Sequence, residues 1–275
     1  MSRMFCKRAI KAGFIGLAFA ATTGVAVAAP KCGNTSAGFE NWVEATKQEA
    51  AANGIGKQGI AALNNVHYAQ ATINADRGQK SFKLSLDQFM KKRGSSTIVA
   101  RGRVMKKQNA ALFDRLEKKY GVASGPVIAI WGMETSFGSY MGKQHTLSAV
   151  ATLAYDCRRS AFFTDQLYAA LKLIDRGDFD PNSIGAMHGE IGQTQFLPKN
   201  VLLYGADGDG NGHIDMINSK ADALASTFNF LRNHGWKPGQ GYQPGEPNFA
   251  AIQGWNDASV YQQSIAIMGK QIDGN

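Results

Sequence analysis

Apolar residues in this chain recur three and four positions apart far more often than at alternate positions, so the pattern predicts helices. Phe39, Trp42, Val43 and Thr46 share one face of a helix running through about residue 52. Val104, Leu112 and Leu116 suggest another, which Gly121 stops after Tyr120. Gly125-Pro126 restart the chain, with Pro126 at a first helical position where its missing N–H costs nothing. The helix that follows carries Val127, Ile128, Ile130, Trp131 and Met133, is apolar on almost every side and should be buried. Phe163, Leu167, Leu171 and Ile174 stripe a further helix. Ala221, Leu224, Ala225, Phe228 and Leu231 stripe another, stopped by His234-Gly235, and a last one runs from about Ser259 to Gln271. Residues 236–249 hold Pro238-Gly239, Gly241 and Pro244-Gly245 and read as a loop. Alternating strands are few and no internal repeat is present, so the fold class is mainly α.

With 44% hydrophobic and 19% charged residues, the composition is that of a folded globular chain and excludes disorder. The first 29 residues stand apart. Arg3, Lys7, Arg8 and Lys11 precede an apolar run to Val27, which ends in Ala26-Val27-Ala28-Ala29 before Pro30. That is the form of a cleavable secretory leader, and its small-residue end argues against a membrane anchor. Pro30-Lys31 before Cys32 argue against lipidation. The expected organisation is a leader over 1–29 and a single domain over 30–275. Without the leader the formal charge of +9 falls to about +5, which weakens any case for nucleic acid and suits an anionic polymer. Cys32 and Cys157 then form an even pair in an exported chain, and a disulfide between them is favoured over two unrelated thiols.

Four segments could carry chemistry. Glu134 lies near the C-terminal end of the most hydrophobic helix, in Trp131-Gly132-Met133-Glu134-Thr135-Ser136-Phe137-Gly138. Desolvation and the negative end of the helix dipole both favour its protonated form, as a general acid for glycosidic cleavage requires. In Ile191-Gly192-Gln193-Thr194-Gln195-Phe196-Leu197-Pro198, two amides at i and i+2 beside an aromatic suit a groove that binds sugars, although such turns are commonly just solvated. Trp255-Asn256 and Tyr261 offer ring faces for pyranoses, or alternatively core aromatics with a capping Asn. Asp207-Gly-Asp209-Gly-Asn211-Gly212-His213-Ile214-Asp215 matches the first nine positions of an EF-hand loop, with His213 offering its carbonyl. Position 12 is Asn218 in place of Glu, and Asp222 could close a lengthened loop. No zincin motif, nucleophile elbow or phosphate loop is present, and Arg101, Arg103, Lys106 and Lys107 read as a solvated helix face.

Taken in order, these segments resemble the B-type lytic murein transglycosylases. Beyond them the likeness rests on Met141-Gly142-Lys143, Ala151-Thr152-Leu153-Ala154-Tyr155 with Arg158-Arg159 and Phe162-Phe163, and His234-Gly235-Trp236, and it extends from about Phe39 to the C-terminus. The resemblance implies a lysozyme-like helical core with an EF-hand-like cation loop. It implies cleavage of the β-1,4 bond between N-acetylmuramic acid and N-acetylglucosamine with formation of a 1,6-anhydromuramyl end. Glu134 would serve as both acid and base, with no cofactor for the chemistry. Gln195 and Asn256 would hydrogen-bond the substrate, and Phe196, Trp255 and Tyr261 would line the groove. Arg158 and Arg159 would meet the lactyl carboxylate or peptide acids. Asp207, Asp209, Asn211, His213, Asp215 and Asp222 would hold a structural calcium or sodium ion. The implied partner is the peptidoglycan glycan strand, met by a periplasmic monomer with no stable membrane insertion. A muramidase using water would share the same motifs, whereas the intact Glu134 and Gln195 argue against a non-catalytic wall binder. The stretch Ala186-Met187-His188-Gly189-Glu190 departs from the family's Ala-Gly-Ala-Met, and Glu190 is expected to point to solvent.

Overall fold

The computed structural model describes residues 31–78 and 84–274, so the leader expected over 1–29 lies outside the described residues. Among the described residues the chain forms thirteen α-helices: α1 (Phe39–Ala52), α2 (Lys57–Ala62), α3 (Gln70–Arg77), α4 (Leu86–Arg93), α5 (Ser95–Gln108), α6 (Ala110–Tyr120), α7 (Ser124–Thr135), α8 (Thr146–Tyr155), α9 (Ser160–Arg176), α10 (Pro198–Tyr204), α11 (Lys220–Asn233), α12 (Phe249–Gln253) and α13 (Ser259–Asp273). The only sheet among them is a two-residue antiparallel pair, β1 (Gln144–His145) with β2 (Ile184–Gly185). The mainly α reading is therefore the observed architecture. No helix among the described residues is long and apolar enough to cross a membrane.

The centre of the molecule is α7. Its residues Ser124 to Met133 are all buried, as an apolar circumference requires. It packs on α13, α5 and α11. At the α7–α13 crossing the two backbones nearly touch, because Gly125 and Gly269 carry no side chain, and a Cβ on Gly125 would overlap the Gly269 carbonyl. Burial of each large apolar side chain in such a helix stabilises the fold by ~1.5–3 kcal/mol. That margin lets α7 carry a carboxyl at its far end. Around this centre, α1 buries Phe39, Trp42, Val43, Thr46 and Ala50, and α8, buried along its whole length, packs on α9.

Three local expectations are corrected. The helix suggested through Val104 and Leu116 is two helices, broken at Asn109, whose side-chain amide donates to the Met105 carbonyl (2.8 Å) and competes with the backbone. Val104 consequently faces solvent at 50% exposure. Pro126 is the third residue of α7, still within the turn whose N–H groups need no intrahelical acceptor. The basic cluster on α5 is exposed but not simply solvated: Arg103 donates to the Gln271 carbonyl, and Lys106 pairs with Asp273.

Cys32 and Cys157 are bonded, a linkage across 125 residues that fastens the N-terminal segment to the end of α8. The Gly33 N–H reinforces it by donating to the Tyr155 carbonyl (2.9 Å).

Candidate active site

The end of α7 shows how the sequence places Glu134. Ser136 and Phe137 both take positive φ (50° and 63°), so the chain leaves the helix in a sharp left-handed turn. Buried Thr135 locks this turn: its hydroxyl donates to the Gln193 carbonyl (2.6 Å) and accepts from the Gly138 N–H (2.9 Å). One hydroxyl thus joins the end of α7 to the Gln193–Phe196 segment. In that segment Ile191 and Phe196 exchange backbone hydrogen bonds (2.7 and 3.0 Å). Gln195 sits at φ 55° and donates its amide to the Gly192 carbonyl (2.8 Å).

These elements enclose a cavity of about 460 Å³, lined by Glu134, His188, Glu190, Gln195, Asn200, Trp255 and Asn256 among others. The partly buried Glu134 accepts two hydrogen bonds on a single oxygen, Oε1. One comes from the Tyr261 hydroxyl (2.6 Å) and one from the Trp255 indole N–H (3.1 Å). Burial pushes the Glu134 carboxyl above its ordinary value; the Tyr261 and Trp255 hydrogen bonds and the Arg93 guanidinium oppose that rise, and the charge of Glu190 adds to it. Burial and the Glu134 charge push the Tyr261 phenol well up, so it remains a donor. Trp255 is held edge-to-face by Phe196 and Phe230, with centroids 5.2 and 5.1 Å away. The arrangement is a desolvated carboxylic acid, fixed through one oxygen, at the wall of a polar cleft. It can donate a proton and then hold the resulting charge.

A family model for the transglycosylase SLT domain matches residues 38–246. This chain belongs to that family. It is 34% identical over 159 residues to the membrane-bound lytic murein transglycosylase B of Escherichia coli (strain K12), a match covering 54% of this chain and 44% of that protein. The match therefore spans less than half of the curated relative. SltB3 from Pseudomonas aeruginosa, solved in complex with NAG-anhNAM-pentapeptide, superposes with a TM-score of 0.80 at 30% identity, over 86% of this chain and 80% of that one. The Escherichia coli lytic transglycosylase Slt35, solved in complex with calcium, shares the fold (TM-score 0.73, 21% identity, 91% and 98% covered). The lysozyme-like transglycosylase fold expected from the sequence is thus the fold of this family member.

The cavity brings together Glu134, Gln195, Phe196, Trp255 and Asn256. Asn256 also caps the chain just before α13, where its Oδ1 accepts from the Ala258 N–H (2.9 Å). Other placements differ from expectation. Tyr261 is buried beneath the cavity, where it serves Glu134 and lines no groove. Arg158 and Arg159 are outside this cavity and pair with buried Asp76, and they line a separate crevice with Trp42 and Phe162. Asp76, buried on α3, anchors both guanidinium groups on that side of the molecule. Glu190 does not point to solvent but lines the cavity with Glu134. His188, Asn200 and Phe230 also line it. Nothing in their local sequence marks Asn200 or Phe230, which read as a helix surface and a core residue.

In the Asp/Gly loop, carboxylate oxygens of Asp207, Asp209 and Asp222 lie within 4.8 Å of one another. Asp207 accepts N–H bonds from Gly210, Asn211 and Gly212, which hold its carboxyl below the usual range. The Asp215 carboxylate is not part of this cluster. Asp215 accepts from the Ile217 and Asn218 N–H groups, and the Asn211 side chain accepts from the His213 N–H.

Proposed function

We propose that this protein is a peptidoglycan lytic transglycosylase. It cleaves the β-1,4 bond between N-acetylmuramic acid and N-acetylglucosamine and leaves a 1,6-anhydromuramyl end. The observation that carries the reading is the Glu134 carboxyl at the cavity wall, fixed through Oε1 by Tyr261 and Trp255. Membership of the family supports it, as does the NAG-anhNAM-pentapeptide held by SltB3 in its complex. Protonated Glu134 delivers its proton to the leaving oxygen as the C1–O4 bond breaks. The substrate's acetamide oxygen closes on C1. The Glu134 carboxylate then takes the proton of the muramyl O6 hydroxyl, and O6 displaces the acetamide at C1. Acid and base are the same residue, so no partner carboxylate need activate water. Gln195 and Asn256 present amides to the sugar.

Two further assignments belong to this reading. Residues 1–29 are a cleaved leader and residues 30–275 one catalytic domain acting in the periplasm. Asp207, Asp209 and Asp222 hold a hard cation of the calcium type, a structural support with no part in the chemistry.

Mass spectrometry of muropeptides released from purified sacculi tests the function, with the processed protein compared with Glu134→Gln. Anhydro products, one water lighter than hydrolysed ones and absent with the variant, are expected. Reducing-end products would make the protein a muramidase. Sacculus binding without release would make it a wall-binding protein.

A further inference from the structure

The turn over Ala186 to Glu190 enters the cavity in a built conformation. The Ala186 N–H donates to the Glu190 carbonyl and the Gly189 N–H to the Ala186 carbonyl (both 3.3 Å). Gly189 has φ 87°, and a Cβ there would overlap Val150, so the turn lies directly on α8. Just before it, β2 is paired to β1. The Glu190 carboxylate is held by its own turn: the His188 N–H donates to Oε2 (3.1 Å), and His188 Nδ1 lies 3.4 Å from Oε1. His188 Nε2 is buried without a partner. Glu190 keeps 25% of its side chain accessible and lines the same cavity as Glu134.

We propose that Glu190 is a second working carboxylate of this active site, accepting a hydrogen bond from the 2-acetamido N–H of the muramyl residue whose glycosidic bond is cut. The inference rests on the lytic transglycosylase reading and adds to it. An ionised carboxylate is acceptor-only and requires a donor. The cavity's hydroxyl-binding capacity is already supplied by the neutral amides of Gln195, Asn200 and Asn256. The acetamide N–H is donor-only and adjoins the reacting C1. The surroundings push the two acids apart. Burial raises Glu134. At Glu190 burial acts in the same direction, but the His188 ring and backbone N–H outweigh it and hold the carboxyl below its ordinary value. Such a split marks one group as proton donor and the other as standing anion. In the first step the acetamide oxygen bonds to C1 while the C1–O4 pair leaves on O4, which takes the Glu134 proton. The positive charge then spreads over the acetamide, whose N–H remains on nitrogen and points to the Glu190 anion. In the second step O6 bonds to C1, its proton goes to Glu134 and the acetamide oxygen leaves. Glu190 gains and loses no proton.

The test compares wild type, Glu190→Gln and Glu190→Asp on purified sacculi, reading rate against substrate concentration and pH. Glu190→Gln keeps an oxygen for the His188 N–H and removes only the charge. It is expected to lower kcat by about 10–100-fold with the apparent KM within about threefold, the pattern of lost transition-state electrostatics. Glu190→Asp retains the charge and recovers part of the rate, and it stands in should the Gln variant fail to fold. The alkaline limb of kcat/KM reports the acid form of Glu134, which faces Tyr261, Trp255, Arg93 and Glu190; Glu190 itself faces His188 and Arg159. Removing the Glu190 charge moves that limb to lower pH, as loss of an anion near Glu134 requires, while the fall in kcat at nearly constant KM and its partial recovery in Glu190→Asp report the contact with substrate. A Glu190→Gln enzyme within threefold of wild-type kcat, or with an unmoved limb, overturns the proposal. A wild type that forms no anhydro product overturns the functional reading instead.

Discussion

Replacing Tyr261 by Phe removes one hydroxyl and leaves the ring in place between α4 and α13. The lost contact is the 2.6 Å hydrogen bond to Glu134 Oε1. While Glu134 is the protonated acid, that bond is made to a neutral acceptor, worth about 0.5–1.5 kcal/mol; once the proton has gone it is made to a charged one, worth about 1.5–3 kcal/mol. Only the difference, about 1–1.5 kcal/mol, is realised in the transition state and appears in kcat. Tyr261→Phe should therefore lose roughly 5–12-fold in kcat, with little change in apparent KM. The pH profile supplies a second reading. The hydrogen bond favours the ionised form of Glu134, so its loss pushes the carboxyl further up, and the alkaline limb of kcat/KM moves to higher pH. The assay is anhydromuropeptide release from sacculi at several pH values. An unchanged kcat, or a limb that moves to lower pH, would refute the assignment of Tyr261 as the stabiliser of the Glu134 anion.

Four other outcomes follow from the same geometry. Glu134→Gln should abolish release yet raise Tm at pH 7. A carboxyl raised in the folded state binds its proton more tightly than in the unfolded chain, so wild-type stability falls as pH rises past the ordinary carboxylate range, and the gain in Tm should shrink below it. Cys32→Ser opens the 125-residue linkage and should cost about 2–4 kcal/mol, a Tm loss of roughly 5–15 °C by calorimetry. Calcium at about a hundred times its Kd should stabilise the protein by about 2.7 kcal/mol, and Asp209→Ala should remove that increment in thermal melts. Asp76→Asn should destabilise by about 1–3 kcal/mol, because it leaves Arg158 and Arg159 without their buried partner, while sacculus binding by pull-down stays within twofold of wild type.

The long periodic helices were legible because one face, or in α7 every face, is apolar over three turns or more. Helices α2, α3, α4, α8, α10 and α12 were not anticipated: five of them are only five to eight residues long, and α8, ten residues long and buried throughout, has no polar face to set off an apolar stripe. Glu134 could be found from the chain, since a carboxyl at the end of an apolar helix is conspicuous in one dimension. The roles of its neighbours could not. Tyr261 reads as a groove aromatic or as core, and only the packing of α13 on α7 shows that its hydroxyl meets Glu134. Arg158 and Arg159 were misplaced because Asp76 is remote in sequence, and a salt bridge across that separation leaves no local trace. Glu190 was misplaced for the opposite reason. A charged residue in a glycine turn ordinarily faces water, and here Gly189 instead lets the turn lie against α8.

The chemistry of Glu134 and the stability of the fold depend on the same helix contact. Because Gly125 and Gly269 let α7 and α13 approach at backbone distance, the crossing is tight at the end away from the cavity. Toward the cavity, Tyr261, Ile265 and Met268 follow one another at helical spacing on the buried side of α13, so the position of the Tyr261 hydroxyl is fixed by that stripe. A carboxyl at the C-terminal end of α7 already meets the negative end of the helix dipole and a desolvated setting, both of which favour the neutral acid. Left there alone it would donate a proton poorly, because the anion would be unsupported. The Tyr261 and Trp255 donors lower that barrier without abolishing the acid form, and they arrive from the same C-terminal segment. A substitution that loosens the α7–α13 crossing, such as one that adds a side chain at Gly269, therefore acts on the acid as well as on the core. It would displace the two donors on which the proposed mechanism relies, in which one carboxyl gives a proton in the first step and takes another in the second.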